Sequence, residues 1–366
     1  MSYEPRPGID IDQIDTPALL LDLDAFERNV RTMARFFADK PTSLRPHAKT
    51  HKCPRIALRQ LEAGAIGITC AKVGEAEVLV QAGVPDILIA NQVVGPIKVD
   101  RLTDLAQRCK AMVAVDHAAN VDELSRACHA KGVSLRVLVE VDIGMQRCGV
   151  GSAQAALPLA RQIADAPGLQ FAVLMGYEGH LVMLPDPVER EARAREAIGL
   201  LQETKDLLES HGLPVQIVSG GGTGTYDMSG TCPPMTEIQA GSYVFMDATY
   251  RQIRPEFDPA LTVLSTVISR PTPGRIVTDT GKKAVSEEFG LPQVIGIENL
   301  SLQALSEEHG KLTTTAPGNV SLQPGDRVRF LPSHCCTTTN LHDRLYVIQD
   351  DVLVDIWPIA ARGRAQ

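Results

Sequence analysis

The sequence predicts an α/β fold, a (β/α)8 TIM barrel of the alanine-racemase type followed by a C-terminal antiparallel β domain. From about residue 16 to 245, short apolar runs alternate with amphipathic stretches, and after about residue 250 the runs become β-branched and turn-separated. Strands that are apolar on both faces and separated by helices indicate a parallel sheet. About eight such units in roughly 230 residues match a (β/α)8 barrel. An open doubly wound sheet is the alternative.

The elements of the predicted barrel follow one another in chain order. The first helix begins at the capping pair Asp24 and Glu27, with apolar residues spaced along one face. The most clearly patterned helix covers residues 190–211 and ends at Gly212. Buried strands are predicted for seven segments, which are residues 43–49, 66–71, 86–91, 111–116, 135–142, 169–177 and 215–222.

The last third of the chain predicts an antiparallel β domain because its apolar runs are short and rich in β-branched residues. The runs are residues 261–270, 274–280, 311–316, 326–333, 344–350 and 352–360. The predicted boundaries are 16–248 for the barrel and 249–366 for the β domain. About the first 15 residues are expected to join the β domain.

Composition excludes several classes of protein. Hydrophobic residues make up 44% of the 366 residues and charged residues 22%, which is ordinary for a globular protein. A net charge of -8 argues against a nucleic-acid-binding surface. No apolar run reaches the roughly 20 residues of a membrane helix, and the N-terminus has no secretory pattern. We therefore expect a cytoplasmic protein whose eight cysteines are mostly free thiols.

Lys49 lies in RPHAKTHK (45–52), at the C-terminal end of a predicted barrel strand. Active sites of such barrels gather at that end. Flanking cations favour the neutral, nucleophilic amine that Schiff-base chemistry requires. They are Arg45, His47, His51 and Lys52. A solvated basic loop is the alternative interpretation.

Two loops rich in small residues predict a phosphate site. SGGGTGTY (219–226) directly follows a predicted strand, and AGSYVFMD (240–247) lies near the last one. Backbone N–H groups that side chains do not cover can bind a phosphate. Two such loops at the final strands of a barrel are the usual position for one. A tight turn that needs glycine is the alternative for the first loop.

These motifs, together with DIGMQRCGV (142–150) and SHCCTTTNLHD (333–343), resemble the fold-type III pyridoxal-phosphate enzymes. The similarity covers nearly the whole chain in order, and is strongest to D-threonine aldolases and to D-serine and 3-hydroxyaspartate dehydratases. The resemblance implies pyridoxal 5'-phosphate on Lys49, Arg147 near its pyridine nitrogen and Tyr177 lining the site. It also implies phosphate contacts from Gly222, Thr223, Gly241, Ser242 and Tyr243. A salt bridge for Arg147 and a core position for Tyr177 are the alternatives.

His334 and Cys336 stand two residues apart after a predicted strand. In extended chain, residues i and i+2 point the same way, so both side chains could reach one metal ion. Nitrogen and sulfur suit zinc, whereas manganese prefers oxygen ligands. In the families that the chain resembles, the second ligand is typically aspartate in the aldolases and cysteine in the dehydratases. Cys335 is expected to point away, and a buried histidine beside ordinary cysteines is the alternative.

The segment YEGH (177–180) departs from the aldolase pattern, which tends to have histidine directly after the tyrosine. Here Glu178 follows it and His180 comes two residues later. Either could be the general base if it faces the site. A glutamate at a strand end is more often solvated. The predicted catalytic residues are therefore Lys49, Glu178 and His180.

The resemblance implies a metal-dependent aldolase that cleaves 3-hydroxy-D-amino acids of the D-threonine type to glycine and an aldehyde. A D-serine or 3-hydroxy-D-aspartate dehydratase is the alternative, and a racemase or a non-catalytic pyridoxal-phosphate protein fits less well. The expected partners are a small-molecule substrate and a second copy of the chain in a homodimer, with no nucleic acid or membrane. Arg45, Lys52 or Arg251 could hold a second substrate carboxylate.

Overall fold

An eight-stranded parallel sheet and a nine-stranded, largely antiparallel sheet dominate the computed structural model, which describes residues 5–366. Its contacts divide into two compact units. The barrel unit comprises residues 33–49, 54–241 and 363–366. The β unit comprises residues 5–32, 50–53 and 242–362.

The regular elements follow in chain order. The strands are β1 (Ala18–Asp22), β2 (Ser43–Leu44), β3 (Ile68–Cys70), β4 (Asp86–Gln92), β5 (Lys110–Val115), β6 (Leu135–Glu140), β7 (Leu169–Gly176), β8 (Ile217–Gly220), β9 (Glu237–Ile238), β10 (Leu261–Thr272), β11 (Arg275–Thr278), β12 (Gln293–Ile295), β13 (Leu300–Leu305), β14 (Gly310–Thr314), β15 (Arg327–Leu331), β16 (Arg344–Gln349) and β17 (Val352–Pro358). The helices are α1 (Leu23–Ala38), α2 (Pro54–Glu62), α3 (Val73–Gln81), α4 (Pro96–Ala106), α5 (Ala118–Lys131), α6 (Ala153–Asp165), α7 (Pro187–Ser210), α8 (Tyr226–Ser229) and α9 (Cys335–Thr339). Within residues 5–366, none of these helices has both the length and the apolar composition needed to cross a bilayer.

The parallel sheet has the strand order β2-β9-β8-β7-β6-β5-β4-β3. Its two end strands are joined by backbone hydrogen bonds. The N–H of Ile66 donates to the Leu44 carbonyl at 3.0 Å, and the N–H of Thr69 donates to the Pro46 carbonyl at 2.9 Å. These bonds complete the ring of strands, so the predicted barrel is confirmed.

Apolar side chains from neighbouring strands pack together on one face of the parallel sheet and form a core. One cluster contains Leu88, Met112, Ala114, Leu138, Val173 and Met175. On the outside, α7 begins at Asp186, whose side chain accepts hydrogen bonds from the N–H groups of Val188 and Glu189. It buries Ile198, Leu201 and Leu208, as the predicted helix requires.

All seven predicted barrel strands are present, but the first is shorter than predicted. It ends at Leu44, and the chain then makes a 3-10 turn over Ala48–Thr50. Pro46 has no N–H to donate, which limits continued pairing. The eighth strand, Glu237–Ile238, has only two residues, which is too short for apolar periodicity to reveal.

The β unit has a central strand path of β13-β14-β11-β10-β1-β16-β17, and β15 pairs with both β10 and β12. The predicted strands are all present, while β12 and β13 were not predicted. The pairing is antiparallel except that β1 runs parallel to β16. A core cluster in this unit contains Ile11, Ile14, Ala18, Leu20, Leu264, Ile348 and Leu353.

The predicted domain boundaries differ from this division most at the N-terminal side, and also at residues 50–53, 242–248 and 363–366. Residues 16–32 were assigned to the barrel, yet β1 lies between β10 and β16 in the β unit. The apolar run Ala18–Leu21 resembles a barrel strand because it too is buried on both faces. Residues 1–4 of the predicted N-terminal addition lie outside the described residues.

Candidate active site

Several polar residues of the barrel unit lie at the carboxyl ends of its strands. Gln92 and Glu140 are the last residues of β4 and β6, and Tyr177 directly follows β7. Lys49 follows β2 after a short turn. Parallel strands place all these ends at one rim of the barrel, where the sites of such folds are built.

The phenol ring of Tyr177 is the common neighbour of three predicted site residues. Lys49 Nζ lies 5.9 Å from the ring centroid, and Arg147 Cζ lies 5.7 Å from it. A Cβ atom placed on Gly222 would lie 3.2 Å from the ring. The structure therefore brings an amine, a permanent cation and the glycine-rich loop to one aromatic surface.

Arg147 is exposed at the end of a loop whose backbone is held by carboxylates. Asp142 Oδ1 accepts hydrogen bonds from the N–H groups of Gly144 and Gln146, both at 3.0 Å. Asp116 Oδ2 accepts from the N–H of Gly149 at 2.9 Å. These hydrogen bonds hold the backbone of the loop, and the Arg147 guanidinium lies beside the Tyr177 ring.

Sequence reasoning missed a polar cluster at the same rim. The Gln92 side-chain amide donates to Glu140 Oε2 at 2.5 Å and to Asp116 Oδ2 at 3.2 Å. Burial raises the pKa of Glu140, although the hydrogen bond from Gln92 and the charge of Arg147 oppose the rise. Acidic residues at the ends of two predicted strands, VAVD and VEVD, were the available signal.

Gly220 at the end of β8 and Gly224 in the loop after it stand where a side chain would not fit. A Cβ on Gly220 would lie 2.1 Å from the Gly176 carbonyl oxygen, and one on Gly224 would lie 1.9 Å from the Val182 carbonyl oxygen. Thr223 is buried within this loop. Because side chains are missing at these glycines, main-chain groups line the loop. Main-chain N–H groups are the donors that a phosphate site uses.

Glu178 is fully buried, so the expectation of a solvated glutamate is wrong. Its carboxylate accepts hydrogen bonds from the Gly221 N–H at 3.3 Å, from Thr225 Oγ1 at 2.7 Å and from Ser229 Oγ. Buried carboxylates need such donors because they have left water. Glu178 therefore anchors residues 221–229, and most of its hydrogen-bonding capacity is used within the protein.

Replacing Glu178 with glutamine should destabilise the fold by about 2 kcal/mol, because the amide NH2 cannot accept from these donors. Urea unfolding measures this change, and Glu196→Gln on the exposed face of α7 is the matched control, expected within about 0.5 kcal/mol of wild type. Unchanged stability with a lost kcat would instead mean that Glu178 is the base and not an anchor.

The other predicted neighbours of Lys49 have distinct positions. His47 Nδ1 accepts the Lys49 N–H at 3.3 Å. Arg45 is buried and forms ion pairs with Asp86 at 2.7 Å and Glu237 at 2.8 Å, so it is not available for a substrate carboxylate as predicted. His180 is exposed and its ring lies against Gly144, where an added Cβ would be 2.9 Å away.

The predicted metal pair lies in the β unit, but its local structure differs from the expectation. His334 is extended and caps α9, while Cys336 lies in the first turn of that helix. The argument from an extended chain is therefore wrong, because a helix rotates successive side chains by about 100°. The two side chains nevertheless form a hydrogen bond. Cys336 Sγ is also 3.2 Å from Thr50 Oγ1, a residue that follows Lys49 in the chain.

Asp247 is a third residue of this cluster, which the sequence did not single out. Its Oδ2 accepts from His334 Nδ1 at 3.0 Å. Burial would lower the pKa of His334, but hydrogen bonds to Asp247 and Cys336 outweigh it and raise the pKa to about 10. Burial raises the pKa of Cys335 well above its usual value. Cys335 is thus a buried neutral thiol, in keeping with its predicted position away from a metal.

The chemistry of this cluster fits an open metal site. Imidazole nitrogen and thiolate sulfur are common zinc ligands, and a bound metal takes the place of the protons that these groups otherwise carry. Within residues 5–366 there is no group of three or more His, Cys, Asp or Glu side chains that could hold a metal ion. Two protein ligands leave coordination positions for water or substrate, as catalytic metals require and structural metals do not.

The second predicted phosphate loop is divided between the units. Gly241 is in the barrel unit, and Ser242 and Tyr243 are in the β unit. Ser242 opens a short 3-10 turn and is nearly fully buried. The ring of Tyr243 packs on Phe257 at 5.7 Å between centroids, which makes it a core aromatic. Any cofactor contact of Tyr243 would therefore come from its backbone.

Comparison with known proteins agrees with this geometry. Residues 21–249 match the family model described as the N-terminal domain of alanine racemase, and residues 260–348 match a putative serine dehydratase domain. A D-threonine aldolase of Arthrobacter sp. is 42% identical over 98% of this chain and 95% of the relative. A 3-hydroxy-D-aspartate aldolase of Paracoccus denitrificans is 36% identical, with the same coverage.

Solved structures extend the comparison. The D-threonine aldolase from Filomicrobium marinum superposes with a TM-score of 0.96 at 40% identity, covering 99% of this chain and 100% of that one. A metal-free variant of a D-threo-3-hydroxyaspartate dehydratase superposes with a TM-score of 0.86 at 28% identity, covering 96% and 98%. The chain therefore belongs to the fold-type III family of pyridoxal-phosphate enzymes, in the branch of the D-threonine aldolases and the D-serine dehydratase-like lyases.

Proposed function

We propose that this chain is a pyridoxal-phosphate- and metal-dependent lyase that cleaves 3-hydroxy-D-amino acids of the D-threonine type to glycine and an aldehyde. One observation carries the proposal. Lys49, Arg147 and the glycine-rich loop meet at the ring of Tyr177, in a chain 42% identical to a D-threonine aldolase. An amine, a cation and a phosphate cradle are the groups that pyridoxal phosphate needs.

The residues of the barrel unit would hold the cofactor in separate roles. Lys49 would provide the amine, and the backbone of Gly222 and Thr223 would bind the phosphate. Arg147 would place its permanent charge by the pyridine nitrogen, and Tyr177 would support the ring. When bound, pyridoxal phosphate supplies an electron sink for the negative charge left at the amino acid's α-carbon.

His334 and Cys336 would hold a divalent metal, zinc or manganese. The Lewis acidity of such an ion favours loss of a proton from a bound hydroxyl group. His180 is our proposed base for that proton, because its imidazole is exposed whereas the oxygens of Glu178 accept three hydrogen bonds. An imidazole can exchange protons with water near neutral pH.

A dehydratase is the second candidate, and Cys336 is the observation that favours it. Solved structures of a D-threo-3-hydroxyaspartate dehydratase include a histidine-to-alanine variant and a cysteine-to-alanine variant two positions further on. The cysteine variant is described as metal-free. The same residue types at the same spacing, His334 and Cys336, occur here. Such an enzyme would release a 2-oxo acid and ammonia.

Two further expectations belong to the proposal. The enzyme is expected to act in the cytoplasm as a homodimer, without a nucleic-acid or membrane partner. If the substrate has a second carboxylate, Lys52 or Arg251 would bind it, since Arg45 is already paired with Asp86 and Glu237.

Product analysis tests the function directly. The holoenzyme is incubated with D-threonine, D-serine and 3-hydroxy-D-aspartate, each with and without a chelator. We expect glycine and an aldehyde from D-threonine, with the rate falling at least tenfold on chelation. A 2-oxo acid and ammonia would identify the dehydratase instead. L-allo-Threonine as the product, from inversion at the α-carbon alone, would indicate a racemase, and no product from a protein without visible absorbance would contradict the lyase assignment.

A further inference from the structure

We propose that Asp247 is a positioning residue that fixes the orientation and tautomer of His334, so that His334 Nε2 presents its lone pair to the metal. The inference rests on the proposed metal pair and adds to it a residue that does not touch the ion. It predicts that metal affinity depends on the Asp247 carboxylate, which acts on the metal only through the His334 imidazole.

The carboxylate of Asp247 is held at both oxygens. Oδ1 accepts from the N–H groups of Thr249 at 3.2 Å and Tyr250 at 2.8 Å. Oδ2 accepts from His334 Nδ1 at 3.0 Å and from the Cys335 N–H at 3.2 Å. With no exposed surface and four donors around it, this group is fixed in place by hydrogen bonds.

Three backbone N–H groups, of Thr249, Tyr250 and Cys335, already donate to Asp247, so its carboxylate is placed as the acceptor in the contact with His334, and that contact sets the tautomer of the imidazole. Nδ1 of His334 must carry the hydrogen, and in the neutral ring Nε2 then has the free lone pair. Carboxylates bound to the far nitrogen of a metal-ligating histidine work in this way and also raise the ligand's basicity. The hydrogen bond from His334 to Asp247 therefore prepares the imidazole for metal binding in addition to packing it.

The neighbours of His334 fix the ring as well. Its centroid lies 4.5 Å from that of Phe289 and 6.3 Å from that of Tyr250. The His334 carbonyl accepts from Thr338 Oγ1 at 2.9 Å within α9. With its backbone and its ring held by these neighbours, the histidine needs only the correct tautomer, which Asp247 supplies.

The Asp247→Asn variant tests this role because it changes few atoms. Its amide oxygen can still accept from Thr249 and Tyr250, but its NH2 group faces the Nδ1 hydrogen of His334. The ring is then driven to the Nε2–H tautomer, which cannot bind a metal. We expect Zn2+ to bind the metal-stripped, cofactor-loaded protein roughly 10- to 100-fold more weakly, measured by competition with a chromophoric chelator.

Asp279→Asn is the matched control. Asp279 is an aspartate of the same unit that accepts from Ser265 Oγ at 2.7 Å and the Thr266 N–H at 2.8 Å. If Asp247 only stabilises the fold, the two variants should lose zinc affinity to the same extent. If Asp247 positions His334, only Asp247→Asn should bind zinc more weakly. The Co2+ form adds a spectroscopic readout, since its sulfur-to-cobalt band should shift only in Asp247→Asn.

A measurement on the wild type keeps the inference testable if Asp247→Asn does not fold. In zinc-loaded protein labelled with 15N-histidine, the ring nitrogen shifts of His334 should report hydrogen on Nδ1 and zinc on Nε2. Finding the hydrogen on Nε2, or equal zinc affinity in Asp247→Asn and wild type, would overturn the inference while the metal pair stands. If the wild type itself binds neither Zn2+ nor Co2+, the proposed metal pair fails instead.

Discussion

Replacing Lys49 with alanine should lower kcat by on the order of 10^4-fold or more, because it removes the only covalent attachment proposed for the cofactor. The variant should also lose the visible absorbance of a lysine-bound pyridoxal phosphate. Steady-state kinetics on D-threonine and an absorbance spectrum of the purified protein measure both effects.

Lys98→Ala on the exposed face of α4 is the control for a general loss of positive charge, and it should keep both the rate and the spectrum. Exogenous methylamine should restore part of the Lys49→Ala rate if the missing group is an amine. A Lys49→Ala protein that keeps its visible absorbance and its rate would show that a different amine binds the cofactor.

Replacing His334 with alanine should abolish metal binding and lower kcat by about 10^3-fold, since a metal stabilises developing charge by several kcal/mol. Metal content by elemental analysis and the rate with added Zn2+ or Mn2+ measure this. Cys336→Asp keeps two ligands but exchanges sulfur for oxygen, so metal preference should move from Zn2+ towards Mn2+.

Cys335→Ala separates the two adjacent thiols. Cys335 is fully buried and its Sγ contacts the Met246 carbonyl oxygen at 3.5 Å, so this variant should retain the metal stoichiometry of the wild type. Loss of metal in Cys335→Ala with retention in Cys336→Ser would assign the ligand to the other cysteine. Full activity of His334→Ala after exhaustive chelation would contradict a metal-dependent reaction.

The barrel could be predicted from sequence because its strands are buried on both faces. Runs such as LRVLVE and ILIA carry that signal in the chain itself, and β6 and β4 lie where they predict. β9 has no such signal, because it consists only of Glu237 and Ile238. It is a strand because it pairs with β2 on one side and β8 on the other. The sequence of β1 led to a wrong assignment to the barrel. A strand in the middle of the second sheet is as apolar as a barrel strand.

The candidate site was predictable only as far as motifs define it. Lys49 and the glycine-rich loop were chosen from local sequence, and Arg147 and Gly222 from the family resemblance. The structure brings them close to Tyr177. What Glu178 does depends on hydroxyl groups some fifty residues later, which no local pattern relates to it. Asp247 was missed for the same reason, although an aspartate ending the apolar run VFM was a sign of burial.

The position of β1 has a consequence for how the protein folds during synthesis. Leu20 is made early, but it pairs with Tyr346, near the end of the chain. Contacts so distant in sequence make late, slow steps in folding. The barrel strands emerge from the ribosome well before β16, so the Lys49 segment can be ordered while β1 still lacks its parallel partner. During that interval β1 presents unpaired edges, and this nascent chain should depend on chaperones more than the finished protein does.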